Sequence, residues 1–507
     1  MRKWLPLTAV CLGTFVLLLD VTIVNVALPS MATSLSASFA DLQWVVDGYA
    51  LALAALLMLA GAIADRAGRR ATFVVGLVVF AAASLACGAA PSSSVLVASR
   101  VVQGVGGAAM FAATTALLST SYSGRDRGTA FGVWGAVSGA AAAAGPLAGG
   151  VLVDALSWRW VFFVNLPVAA VAVVLALRTL PETRHPAGRL DVGGAVAFTL
   201  AAASLVFGLI RGGEHGWTSA GAVASVGVSA LAVVVFCVVE RRASAPLLDL
   251  RLLRSPSFSG LLVVAVLMQA SAFGTLAYAS LWLQSLLGLD AVRAGLVVLP
   301  LSVVAFVVSA AVGRLLHDRS PWLPVTVGMA LIGAGDLLVV LALHVWSPVG
   351  WMALVPGMVV GGLGVGLGTP VLVSAALATV PHHRAGMASG AVNTARQLGM
   401  ALGIAVLGSV LSAAVRSSVS GAAGVPQPER FAAGLTSGGA QQLLAAVPSG
   451  ARAVAESLAQ EAFAAGLDRV FLVAGVAGLV GALVSLVALR PRLTDDAVIS
   501  REAVTSH

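Results

Sequence analysis

Three ionisable side chains stand where an apolar chain would not carry them without purpose. Asp20 lies inside the run Leu19-Asp20-Val21-Thr22-Ile23-Val24-Asn25-Val26-Ala27-Leu28-Pro29, Asp47 near the start of a second apolar run, and Arg100 in Ser99-Arg100-Val101-Val102-Gln103-Gly104. A charge inside a bilayer costs several kcal/mol unless it is paired, solvated or protonated, so such residues mark ion and proton pathways by default. Counted from Leu7 at 1.5 Å per residue, Asp20 sits about 20 Å into a hydrocarbon layer of roughly 30 Å. Asp47 and Arg100 fall at similar depth in their own runs. A cluster of Asp20 and Asp47 opposite Arg100 is therefore expected, with a carboxylate that alternates between an arginine's field and apolar burial able to load and release a proton. The plainer readings are that Asp47 caps the outer start of its helix and that Arg100 snorkels to the headgroups.

The elements that must hold these groups are membrane-spanning helices. The 507 residues are 59% hydrophobic and 10% charged, with a mean hydropathy of +1.00, whereas soluble domains carry about a quarter charged residues. Apolar runs of the length a helix needs to cross a bilayer recur at 7–29, 42–64, 71–91, 94–118, 128–152, 160–180, 191–211, 219–240, 258–286, 294–313, 323–343, 351–379, 386–413 and 469–490. The net charge of +8 does not point to nucleic acid. Arginines concentrate in alternate loops (Arg66, Arg69 and Arg70; Arg125 and Arg127; Arg241 and Arg242), which is the positive-inside pattern and puts both termini in the cytoplasm. The basic start Met1-Arg2-Lys3-Trp4 imitates a signal peptide, but the following run is too long and is read as an uncleaved first span. Cys11, Cys87 and Cys237 lie in spans without disulfide or metal spacing, and the seven histidines form no ligand cluster. Neither metal, cofactor nor enzymatic constellation is expected.

Gly61-Ala62-Ile63-Ala64-Asp65-Arg66-Ala67-Gly68-Arg69-Arg70 joins spans two and three, and a weaker echo, Gly313-Arg314-Leu315-Leu316-His317-Asp318-Arg319, follows span ten. The echo suggests a duplicated six-plus-six chain with spans seven and eight inserted between the halves. The divisions expected are a first bundle over 1–185, the insertion and its cytoplasmic linker over 186–257, a second bundle over 258–490 with a long external loop over 414–468, and a tail over 491–507. A surface helix over 451–466 fits within that loop. In span five, Gly145-Pro146 and Gly149-Gly150 allow close helix approach and a bend; a packing kink alone would read the same way. Asn393-Thr394-Ala395-Arg396-Gln397-Leu398-Gly399 puts an arginine at mid-membrane in span thirteen. The glycine run 361–368 suits helix packing rather than a nucleotide, Asp336 occupies a supporting position, and Trp158-Arg159-Trp160 is an interfacial anchor ahead of Asn165-Leu166-Pro167.

On these four segments (61–70, 100–107, 139–150 and the stretch around Asp20, with 393–399 as a further match) the chain resembles the major facilitator superfamily and, within it, the fourteen-span drug:proton antiporters. The resemblance implies an all-α polytopic fold of two six-helix bundles plus two inserted helices. It also implies proton-coupled export of small lipophilic drugs or antibiotics from the cell membrane by alternating access, as a monomer. Proton coupling would fall to Asp20, Asp47 and Arg100; the substrate cavity to Asn25, Gln103, Trp134, Gln269, Asn393 and Arg396; and gating to Gly61, Asp65, Arg66, Gly68, Arg69, Gly145, Pro146 and Gly149. Asp65 would latch one side shut by facing a helix N-terminus of the other half, against the plainer reading that these charges only set topology. Some relatives that export dications carry a further acid in span ten or thirteen; here span thirteen offers Arg396, which leaves neutral and anionic cargo open. A lipid or secondary-metabolite exporter and, less favoured, a non-transporting membrane sensor are the alternatives.

Overall fold

In the computed structural model, residues 2–37, 39–184, 191–243, 246–315, 320–346, 350–380, 385–420, 428–436 and 449–489 are described, with 440, 443, 444 and 447 between the last two stretches. Helices account for nearly all of them, as a bilayer requires where every backbone N–H and C=O must find a partner within its own segment. They are α1 (Leu5–Leu35), α2 (Phe39–Ala67), α3 (Arg69–Gly88), α4 (Ser93–Ser121), α5 (Gly124–Ala155), α6 (Trp160–Phe163), α7 (Asn165–Thr179), α8 (Val192–His215), α9 (Ala220–Arg242), α10 (Pro256–Ala272), α11 (Gly274–Ser285), α12 (Ala291–Leu315), α13 (Trp322–Val345), α14 (Val355–Ala378) and α15 (Ala385–Ser420). A final helix runs over Ser449–Leu489. Thirteen stretches among the described residues are long and apolar enough to cross a membrane. The span expected over 128–152 is not one of those thirteen, and it forms the continuous 32-residue helix α5.

Three helices differ from expectation. The sixth span breaks between α6 and α7 at Val164, because Pro167 has no N–H to give the carbonyl one turn back. The ninth breaks at Phe273, where Gly274 packs against the Gly403 backbone of α15. The surface helix expected over 451–466 is not separate: it is continuous with the last span as one 41-residue helix, since Leu467-Asp468-Arg469 contains no helix breaker.

The first six spans pack among themselves (α1 on α5 and α7, α2 on α4, α3 on α4), and so do the last six (α10 on α15 and the final helix, α12 on α14, α13 on α14 and the final helix). Two seams join the sets, α5 with α12 and α2 with α15. Each seam pairs the second span of one set with the fifth of the other, the arrangement a duplicated chain produces. The inserted α8 and α9 pack on each other, and α8 lies along the α2/α15 seam. The echo at 313–319 has its loop, 316–319, outside the described residues, as does the tail over 491–507.

Candidate functional site

Asp20 is completely buried on α1, and Arg100, on α4, is 1% exposed. Arg100 Nη1 donates to Asp20 Oδ2 at 2.5 Å and to Gln103 Oε1 at 2.6 Å, and Nε donates to the Val45 carbonyl of α2 at 2.9 Å. The second carboxylate oxygen of Asp20 accepts from Gln103 Nε2 and from Asn165 Nδ2, both at 3.0 Å. Ser84 Oγ, on α3, accepts from Gln103 Nε2 at 2.8 Å. The Arg100 guanidinium lies 4.2 Å from the centre of the Tyr49 ring, a cation–π contact. Five helices thus meet in one hydrogen-bonded cluster around Asp20. The break before α7 is what lets Asn165 reach it, and Asn165 was not expected here; its sequence signal was an amide one residue after a helix break and two before a proline.

Asp20 and Arg100 are brought together and Asp47 is not. Among the described residues the partners of Arg100 are Asp20, Gln103 and the Val45 carbonyl, while Asp47 is half-buried on the wall of a large central cavity. Equal depth fixed height but not direction: Asp47 lies two residues, about 200° around the helix, from Val45.

That cavity, of about 2020 Å³, is bounded by both six-span sets and by the inserted α8. Arg100 forms part of its wall; so do Asn25, Gln269 and Arg396 among the residues expected to line it. Gln103, Trp134 and Asn393 are not on that wall in this conformation. Each is fully buried: Gln103 is held in the Asp20 cluster, Trp134 donates its indole N–H to Thr14 Oγ1 at 3.0 Å, and Asn393 faces Ser389. Asp336 lies off the cavity, where Ser271 Oγ donates to it at 2.8 Å. The wall contributed by α8 includes Arg211 and continues to Trp217. Trp217 Nε1 donates to Ser409 Oγ of α15 at 2.6 Å, and Trp44 of α2 packs 5.8 Å from Phe207.

The cavity reaches the N-terminal end of α2, at Gln43 and Trp44. The opposite end of α2 is closed. Asp65 accepts from the backbone N–H of Gly386 at 2.9 Å and of Met387 at 2.8 Å, first-turn amides of α15 that have no partner within their own helix. Arg69, 1% exposed, steadies the same carboxylate through Nε at 3.1 Å and Nη2 at 2.7 Å. Gly68 at φ +117° makes the turn that a side chain would strain, and the Glu182 carboxylate accepts from the N–H groups of Arg70 and Ala71 at 3.2 and 3.1 Å, capping α3. Arg66 bends back to the Ala62 carbonyl at 3.3 Å. A methyl on Gly61 would overlap the Gly386 carbonyl and stand 3.3 Å from the Gly390 Cα, so α2 and α15 touch backbone to backbone. Thr115 and Ser389 make a further contact, hydroxyl to hydroxyl, across the halves. Near Asp20, Gly149 brings α5 against Ile23 and Val26 of α1, where a Cβ would find both at 3.1 Å. Gly145 does the same against Thr22, and Pro146 lies between them in the helix.

The sequence model of the Major Facilitator Superfamily matches residues 10–404. The chain belongs to the major facilitator superfamily. Among curated members, the chain is 36% identical over 411 residues to the multidrug resistance protein Stp of Mycobacterium tuberculosis, covering 81% of this chain and 76% of that one. It is 35% identical to the tetracenomycin C resistance and export protein of Streptomyces glaucescens, over 96% of this chain and 91% of that one. The puromycin resistance protein pur8 of Streptomyces alboniger is 37% identical, with 82% of each chain covered. The crystal structure of the human organic anion transporter MFSD10 superposes with a TM-score of 0.62 at 16% identity, over 95% of this chain and 99% of that one, and shares the fold. The cavity lies between the two halves and reaches the N-terminal end of α2, while Asp65 bridges the halves at the other end of that helix.

Proposed function

We propose that this major facilitator protein is a proton-coupled exporter of small lipophilic compounds, working by alternating access in the cell membrane as a monomer with both termini in the cytoplasm. The observation that carries the reading is the cavity between the halves, latched by Asp65 at one end and bordered by Arg100, whose other face holds the buried Asp20. The names of the relatives, resistance and export proteins for multidrug, tetracenomycin C and puromycin cargo, support drug export. The arginine loops sit at the latched end, so the conformation described is the outward-open one.

Proton coupling follows from the shared guanidinium. Arg100 touches the cavity and Asp20 does not, so a proton reaching Asp20 competes with Arg100 for the carboxylate and frees a cation at the cavity wall. Export would then proceed by loading a proton from outside, rocking of the halves about the α2/α15 and α5/α12 seams, and release inside. Gln103 and Asn165 keep the carboxylate hydrogen-bonded, which limits the cost of burying it.

The test is dye or antibiotic efflux from energised cells expressing the wild-type protein or Asp20→Asn, before and after a protonophore. Efflux lost under both perturbations supports proton-driven export through Asp20. Efflux that survives the protonophore removes proton coupling, and efflux that survives only the substitution moves the coupling site to Asp47 or elsewhere.

A further inference from the structure

The cavity wall is unevenly charged. Among the described residues its ionisable acids and bases are Arg100, Arg211, Arg396, Arg416 and Asp47. Arg100 is matched by Asp20 behind it. Three guanidiniums are left against one carboxylate, and the other polar groups on the wall are neutral amides and hydroxyls. A site for cations would show the reverse balance, because a desolvated cavity strengthens every charge–charge term inside it.

Arg396 is the most telling of the three. Among the described residues it has no carboxylate partner; its Nη1 makes one long contact, 3.5 Å to Asn393 Oδ1, and its Nε is buried with no hydrogen-bond acceptor. The guanidinium sits 5.9 Å from the ring of Trp134, which is fully buried behind the wall. Gln269, from α10, lines the same cavity at 8% exposure, and its side-chain Oε1, an acceptor without a partner, calls for an N–H or O–H donor elsewhere on the same molecule. Buried polar groups left unmatched in a cavity are matched by what enters it. A fork of N–H donors on the wall fits a molecule carrying a carboxylate or an ionised phenol.

Building on the transport reading, we propose that the cargo is a class of lipophilic organic anions, whose charged group docks on Arg396 while Arg211 of the inserted helix and Arg416 draw it toward the open end. The inserted pair is then part of the specificity apparatus. A monoanion leaving in exchange for one entering proton moves two positive charges inward per cycle, so an inside-negative potential accelerates transport. A monocation exchanged for one proton moves no net charge.

The experiment uses the full chain in proteoliposomes with two dyes of one skeleton, fluorescein as the anion and rhodamine 123 as the cation, under an imposed pH gradient with and without a valinomycin potential. Dye binding in detergent is followed by tryptophan quenching. We expect fluorescein to be bound and carried at least tenfold better than rhodamine 123, with transport rising with the potential. Arg396→Gln should weaken fluorescein binding about tenfold or more, the worth of a charge-assisted hydrogen bond. Arg396→Lys should restore part of it, and Arg211→Gln should weaken it about threefold, a second variant should the first fold poorly. Rhodamine 123 carried as well as fluorescein, with Arg396→Gln indifferent, overturns the anion class and leaves transport standing. Neither dye bound or carried by well-folded wild type overturns the transport reading as well.

Discussion

Asp65→Asn should open the latched end without unfolding the protein, and the structure fixes how far. The carboxylate accepts from two groups of its own bundle, Arg69 Nε and Nη2, and from two of the other, the N–H groups of Gly386 and Met387. Only the second pair breaks when the bundles part, so only it enters the balance between conformations. Hydrogen bonds to a charged group contribute about 1.5–3 kcal/mol each, about 3–6 kcal/mol for the two amides. Asparagine keeps one oxygen for a neutral bond of about 1 kcal/mol and turns an N–H₂ toward a donor. The latched state should therefore lose about 2–5 kcal/mol, a shift of roughly 30- to 4,000-fold in the conformational ratio. Nitroxides at Ser123 and Thr379, both exposed at the latched end, report the separation of the halves by double electron–electron resonance. Cys237 is replaced by serine for labelling, and Cys11 and Cys87 are buried. The expected result is a new long-distance population that dominates in Asp65→Asn. A distribution that superposes on the wild type refutes the latch.

Gly61→Ala drives a methyl into the Gly386 carbonyl and should shift the same distances in the same direction; combined with Asp65→Asn it should add less than its own effect, because both act on one seam. Asp20→Asn strands the buried Arg100, and breaking a buried pair costs about 3–5 kcal/mol. A lowered thermal unfolding midpoint in detergent is expected, part of which Arg100→Gln in the same chain should recover; a double variant less stable than either single one contradicts the pairing.

The order of spans was readable because the bilayer imposes one length and one hydrogen-bonding solution on every segment. Asp20 and Arg100 could be matched because helical rise converts position into depth. Direction around each helix was beyond reach for the same reason: the spans are apolar on nearly all sides, and no polar face says which way Asp47, Gln103 or Trp134 turns. The breaks at Val164 and Phe273 were local, and only the first had a proline to announce it. Glu182 capping α3 could not be anticipated, since its loop is more than a hundred residues along the chain from the turn it closes.

The seam between α2 and α15 at the latched end has a consequence for speed. Gly61, Gly386 and Gly390 meet there through backbone atoms rather than side chains. A mating surface that must be parted and remade in every turnover gains from having no rotamers to freeze on contact, since glycine carries no side-chain entropy into or out of the closed state. Interlocked leucines would hold more firmly but would have to disengage and find their register again each time. Bare backbone gives a contact that is specific in position and, on the transport reading, quick to release, with the polar hold supplied by Asp65 on two amides and by the Thr115–Ser389 pair.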